Sequence, residues 1–329
     1  MSPSTPQQYD STILLTGGTQ GMGVHTALFL AKQCPSSLLI LSSRTDPNNI
    51  AHTTNTKLGQ SNTTFLPLNL APISKVHAYV SNFKAQGYPK IKSLVLNAGV
   101  QIPGAIEYTE DGYERNLAVN HIGHAALFHG LMDAGFLAPD CKIVITTSSV
   151  HDPSKGWGYK IYWPSVEGAM KPDAETIKTY SGMDRYSVSK FANTAWMLAL
   201  SRRLAASSES LAETGDESAR KMTAVAMNPG LMPGTNLFNN GNAFIFWLIV
   251  HVGPLLLPLL KLLREDIKSP RESGEALAWL AVGEGAKGLN GEYMNGKKMG
   301  KSSELAGRES VGDELWEWTV KVVGTEGKL

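Results

Sequence analysis

Near the N-terminus the apolar run STILLTGG ends in glycine and passes at once into VHTALFLAKQ, whose apolar residues recur at helical spacing. That change of period repeats along the chain. SLLILSSR, TTFLPLNL, IKSLVLNAG, CKIVITTSS and MTAVAMNPG are five further apolar runs, and GEYMNG is a candidate seventh. Helix-spaced stretches separate them, among them RNLAVNHIGHAALFHGLMDAG and the segment from Tyr186 to Ala205. A strand that is apolar on both faces must be covered on both. Its alternation with helices therefore predicts an α/β fold with a parallel sheet of about seven strands and helices on both sides. A chain of 329 residues with 42% hydrophobic side chains can form this as a single domain over 1–329.

Three segments interrupt the alternation. The first is a substrate-side insertion, about 151–185, which carries Trp157, Tyr159, Tyr162 and Trp163. These aromatics either line a flat apolar site or pack the insertion onto the body. The second, about 207–221, is rich in Ser and Glu and reads as an exposed loop. The third, about 236–268, contains the apolar run 243–263. Gly253, Pro254 and Pro258 interrupt that run where a membrane span needs continuous hydrogen bonding. It reads as a lid over an apolar substrate, or as a peripheral membrane contact.

A net charge of +1 and the lack of any basic run make nucleic acid a poor partner. Cys34 and Cys141 match no metal or redox spacing, and the N-terminus has no signal-type apolar run. A reduced, cytoplasmic protein is expected, membrane-associated if 243–263 meets a bilayer. Asn62 opens an NTT glycosylation acceptor that should stay unmodified without secretion.

TGGTQGMG joins the first strand to the first helix. Gly17, Gly21 and Gly23 let the backbone turn tightly and approach a pyrophosphate, and the helix N-terminus offers N–H groups and a positive dipole end. Thr19, Gln20 and Met22 lie in the same turn. This is the phosphate-binding feature of a Rossmann-type doubly wound sheet. At the end of the second strand an NAD site usually has a carboxylate; this chain has Ser43 and Arg44. A guanidinium can hold a 2′-phosphate, so NADP(H) is the expected cofactor.

TGGTQGMG, LNAG (96–99), NHIG (120–123), TTSS (146–149), YSVSK (186–190) and NPG (228–230) stand in one order. In that order they resemble the short-chain dehydrogenase/reductase family. The stretch between TTSS and YSVSK resembles its retinol dehydrogenase and protochlorophyllide reductase-like branch. The latter enzymes carry a Cys where this chain has Leu231, so the resemblance implies a dark reaction rather than a light-driven one. It also implies cofactor contacts from Asn69, Leu70, Asn97, Ala98, Gly99, Pro229, Gly230 and Met232, besides Tyr186 and Lys190. Thr235 stands one position later than the family's usual threonine.

Tyr-x-x-x-Lys occurs three times, at Tyr88, Tyr186 and Tyr293. YPKIK contains Pro and YMNGK contains Gly, so only Tyr186 and Lys190 can share a good helix face. Hydride transfer to a carbonyl leaves an alkoxide that must be protonated. A phenol with a reference pKa near 10 is a poor acid–base group unless an ammonium stabilises its anion. Lys190 is expected to lower the pKa of Tyr186 in this way. The family's strand pattern puts Ser148 against the carbonyl oxygen, with Ser149 as the alternative. Asn120 matches the family's asparagine that holds a relay water. His121, His124 and His129 have no carboxylate or thiol companions and are not read as a metal site.

The function implied is NADPH-dependent reduction of a carbonyl on an apolar or aromatic, medium-sized substrate, a ketoreductase of the kind used in secondary metabolism. NADP-dependent oxidation of a retinol- or steroid-like secondary alcohol is the first alternative. A non-catalytic NADP(H)-binding scaffold is the second. The chain is a monomer or a homodimer.

Overall fold

The computed structural model describes residues 9–213, 221–232, 266–325 and 327. Seven strands pair in parallel: β1 (Ser11–Thr16), β2 (Ser37–Ser42), β3 (Thr63–Phe65), β4 (Ile91–Leu96), β5 (Leu137–Thr146), β6 (Thr223–Asn228) and β7 (Tyr293–Asn295). A two-residue β8 (Lys298–Met299) turns back antiparallel on β7. The spatial order is β3-β2-β1-β4-β5-β6-β7-β8. The order reverses between β1 and β4, where loops leave the sheet in opposite directions and open a crevice at its carboxyl end.

Among the described residues the α-helices are α1 (Met22–Gln33), α2 (Ile50–Leu58), α3 (Ile73–Ala85), α4 (Arg115–Leu117), α5 (Gly123–Asp133), α6 (Val166–Met170), α7 (Ala174–Thr179), α8 (Gly182–Glu213), α9 (Pro270–Val282) and α10 (Glu309–Val323). Side chains alternate across the sheet, as the strand period requires. Ile13, Leu15, Leu39, Val144 and Val225 face Leu30 of α1 and Leu277 of α9. Leu14, Ile40, Leu94 and Ile143 face the other way, toward Phe83 of α3, Phe128 of α5, Phe191 of α8 and Leu315 of α10. Each fully buried leucine of these layers stabilises the fold by about 1.5–3 kcal/mol. Together they hold the strand ends that carry the site.

Four local features differ from the sequence reading. TTFLPLNL forms a strand only over Thr63–Phe65, and beyond it Leu66 and Leu68 N–H still donate to the Leu41 and Ser43 carbonyls, with Pro67 on the open edge where a missing N–H is tolerated. The long helical stretch is interrupted by a π-turn, Ala118–Ile122, between α4 and α5. The helix carrying Tyr186 starts earlier, at Gly182. It also runs to Glu213, so 207–213 is helical rather than loop. An existing helix extends without a new nucleation cost, and Leu211, Ala212 and Glu213 are good helix formers.

The remainder of the expected polar loop, Thr235 and the apolar run 243–263 fall largely or wholly outside the described residues. Among the described residues, Leu231 and Ile267 form a bridge, with Leu231 N–H donating to the Asp266 carbonyl at 2.9 Å. No described helix is long and apolar enough to cross a membrane. Asn62 is buried, and its amide donates to the Ala31, Cys34 and Ser37 carbonyls, so the acceptor site is closed to a glycan.

Candidate active site

The glycine turn is built by close approach. A Cβ on Gly23 would fall 2.0 Å from the Gly17 carbonyl oxygen. One on Gly17, whose φ is 69°, would fall 2.8 Å from the Ala98 Cα. Asn97 fastens the turn to β4: its side-chain amide donates to the Thr16 and Gly17 carbonyls. The backbone N–H groups of Asn97 and Ala98 donate to Thr16 Oγ1. Gly21, the N-cap of α1, has no side chain to cap the helix, and the first turn holds no acidic residue. Gly23 N–H donates to the Gln20 carbonyl at 3.1 Å, and the helix presents its positive dipole end, as an anion site requires. Gly23→Ala is expected to lower the melting temperature and to abolish the upward shift expected from a bound nicotinamide dinucleotide. Paired thermal melts with and without the dinucleotide check this, and a shift equal to that of the wild type would contradict it.

A cleft of about 760 Å³ opens over this turn. Every residue expected to contact the cofactor borders it: Gly17, Thr19, Gln20, Gly21 and Met22 from the turn, and Ser43 and Arg44 after β2. Asn69 and Leu70 follow β3, and Asn97, Ala98 and Gly99 follow β4. Pro229, Gly230 and Met232 follow β6, and α8 brings Tyr186 and Lys190. Ser43 Oγ is buried without a hydrogen-bond partner, an acceptor and donor left over at the ribose end. Arg44 is exposed beside it and also borders a second cavity of about 410 Å³ that Lys75 lines. Asn69 Oδ1 accepts from Ala71 N–H at 3.2 Å within its own turn, which leaves one lone pair for a ligand. These features suit a phosphorylated dinucleotide.

Tyr186, Lys190 and Ser148 border the same cleft. Two strand-end residues fix them. Thr147 Oγ1 donates to the Lys190 carbonyl, and Lys190 Nζ donates to the Thr146 carbonyl at 3.2 Å. These bonds dock the end of β5 onto α8, which sets Ser148 relative to Tyr186. Tyr88 stands before β4, whose Lys92 pairs with Asp140 on the surface, while Tyr293 lies in β7. Neither of those motif copies is on a helix.

The electrostatics differ from the expected tuning. Tyr186 is buried, and burial pushes its phenol pKa up; no lowering by Lys190 offsets this. Burial also lowers Lys190, to about 8. The ammonium lies 5.6 Å from the centre of the Tyr186 ring, over its face. A dry site disfavours the charged form of each group, so Tyr186 holds its proton at neutral pH, while Lys190, at about 8, remains an ammonium there.

Asn120 does not border the cleft. Its side chain is bound to the corner after LNAG: Oδ1 accepts from Val100 N–H at 2.7 Å, and Nδ2 donates to the Val100 carbonyl and to Ser189 Oγ. Ser189 Oγ donates in turn to the Tyr186 carbonyl. The side chain thus ties the corner to α8. Its carbonyl faces His124 Nδ1 at 3.0 Å, and His124 Nε2 faces Thr16 Oγ1 at 3.0 Å. Burial holds His124 at about 3, hence neutral. His121 meets Thr319 Oγ1 and Trp196, and His129 packs on Trp316. No group of three or more metal-capable side chains occurs among the described residues.

The aromatic insertion divides. Trp157 and Tyr159 border the cleft. Tyr162 packs on Tyr180 within the insertion, and Trp163 packs on Phe191 of α8, so Trp163 holds the insertion to the body. Sequence reasoning missed Glu107 and Arg115, an ion pair on the cleft wall, and the wall residues Val119 and Met183. Nothing in their local sequence marks them; the fold brings them together from the loop after β4, from α4, from the π-turn and from α8.

A family model described as short chain dehydrogenase matches residues 11–163. Polyprenol dehydrogenase of Mus musculus is 26% identical, over 99% of this chain and 87% of that protein. Retinol dehydrogenase 13 of Homo sapiens is 25% identical, over 98% of this chain and 88% of that protein. Among solved structures, a blue fluorescent protein from a metagenomic library in complex with NADPH superposes with a TM-score of 0.57. It is 20% identical and covers 88% of this chain and 96% of that one, a likeness of fold.

Proposed function

We propose that the chain is an oxidoreductase of the short-chain dehydrogenase/reductase family, in its retinol-dehydrogenase-like branch; the match of residues 11–163 to the short chain dehydrogenase model and the likeness to polyprenol and retinol dehydrogenases support this. The reaction is reduction of a carbonyl on an apolar, medium-sized substrate with NADPH. The observation that carries it is the convergence of the glycine turn, Arg44, Ser148, Tyr186 and Lys190 on one cleft.

The turn residues and the α1 N-terminus would hold the pyrophosphate, Ser43 and Arg44 the 2′-phosphate, and Lys190 the nicotinamide ribose. When bound, the cofactor supplies a hydride to the carbonyl carbon. Ser148 donates a hydrogen bond to the carbonyl oxygen and stabilises the negative charge that grows there. Tyr186 gives its proton to that oxygen, and the Lys190 ammonium stabilises the phenolate left behind. A phenol that burial keeps protonated is in the donor state, which supports the reductive direction. Trp157 and Tyr159 supply aromatic wall for an apolar substrate.

A second reading rests on the relatives' names. Polyprenol and retinol dehydrogenases are named for apolar alcohols, and the same groups run in reverse would oxidise such an alcohol with NADP. Tyr186 would then have to act as a base. Assaying both directions with apolar aldehydes, ketones and prenol-type alcohols separates the two readings. Faster alcohol oxidation at neutral pH overturns the reductive assignment.

The cofactor preference has its own test. Arg44→Ala removes a charged hydrogen-bond donor worth about 1.5–3 kcal/mol, so NADPH should bind roughly tenfold to a hundredfold more weakly, with little change for NADH. Fluorescence titration of both cofactors measures this. Equal weakening of the two would remove the 2′-phosphate role.

A further inference from the structure

His151 follows Ser148 by three residues and is fully buried, its ring 4.8 Å from that of Tyr293. Nδ1 lies 2.7 Å from the Ser148 carbonyl oxygen, and Nε2 lies 3.0 Å from the backbone N–H of Ser303. A carbonyl can only accept and a backbone N–H can only donate. Nδ1 therefore carries the hydrogen and Nε2 is bare, so the ring is neutral and its tautomer is fixed. Burial lowers its pKa, in agreement. Ser303 is anchored in turn: its Oγ accepts from Ala306 N–H and its carbonyl from Gly307 N–H.

Ser148 needs an external hold. Sheet pairing of β5 ends at Thr146, and the last bond to β6 runs from Thr147 N–H to the Met227 carbonyl. Beyond that point Ser148 Oγ makes only a long contact, 3.5 Å, with Val150 N–H. Its carbonyl is held by the backbone N–H of His151 at 3.2 Å and by the shorter bond from the imidazole.

We propose that His151 is a positioning residue: it clamps the Ser148 carbonyl to the segment between β8 and α10, and so aims the Ser148 hydroxyl into the cleft. This rests on the reading of Ser148 as the group that holds the substrate oxygen. The clamp makes the C-terminal segment around Ser303 part of the catalytic geometry, although it does not border the cleft.

Two amide replacements divide the ring's two bonds. His151→Asn puts an N–H near the Nδ1 position and keeps the Ser148 bond; His151→Gln puts an amide oxygen near Nε2 and keeps the Ser303 bond. His151→Gln should lower kcat about tenfold to a hundredfold, as a misplaced catalytic group does, with KM and the NADPH dissociation constant unmoved. His151→Asn should recover most of that loss. Imidazole nitrogen NMR of ligand-free protein labelled at histidine, with the His151 signals identified by their loss in His151→Gln, should show hydrogen on Nδ1 of that ring alone. Ser148→Ala with His151→Gln should lose no more than Ser148→Ala alone.

Additive losses, equal kcat for the Asn and Gln variants, or hydrogen on Nε2 would overturn the clamp and leave the Ser148 reading intact. Undiminished kcat in Ser148→Ala would overturn that reading, and the clamp with it.

Discussion

Tyr186→Phe is expected to cut kcat by about a hundredfold to ten-thousandfold, the usual contribution of a positioned proton donor. The substitution removes one oxygen and keeps the ring. Tyr186 is only 7% exposed, and the ring that Phe retains fills the same space. The contact between Lys190 and the ring face can therefore persist. NADPH affinity should change little, and so should the melting temperature. Steady-state kinetics beside a cofactor titration read both quantities. A variant that binds NADPH and turns over at the wild-type rate would remove Tyr186 from the chemistry.

Ser148→Ala carries the second large effect. A hydrogen-bond donor aimed at a developing oxyanion is worth about a hundredfold to a thousandfold in kcat. Ser149 also borders the cleft, so the neighbouring Ser149→Ala is the natural control. Ser149 begins the one-turn helix Ser149–His151, whereas Ser148 is its extended N-cap at the strand end. The account places the loss in Ser148→Ala and only a small effect in Ser149→Ala. The opposite pattern would mean that the two serines exchange roles.

Much of this architecture was legible in the sequence because its signals are local. A glycine turn between an apolar run and a helix can be read in eight residues, and Tyr186 and Lys190 need only one helical turn. What was not legible depends on distant partners. The π-turn at 118–122 and the use of the Asn120 side chain follow from packing against the Val100 corner and Ser189. The rise in the Tyr186 pKa follows from how deeply α8 is buried, which spacing cannot give. Gly182 and the tail of α8 show the opposite failure: composition suggested loop, but a growing helix continued through it. His151 stood within an insertion that looked aromatic rather than catalytic, and its importance appears only when Ser303, 152 residues away, is in place.

The most direct test of the central claim is the fate of the hydride. Wild-type protein is incubated with NADPH carrying deuterium at C4 and with a panel of apolar aldehydes and ketones. The account predicts an alcohol with one deuterium on the former carbonyl carbon, formed by the wild type and suppressed in Tyr186→Phe. Tight NADPH binding without a deuterated alcohol from any carbonyl of the panel would contradict it, and would make the cleft a cofactor-binding site without this reductase chemistry.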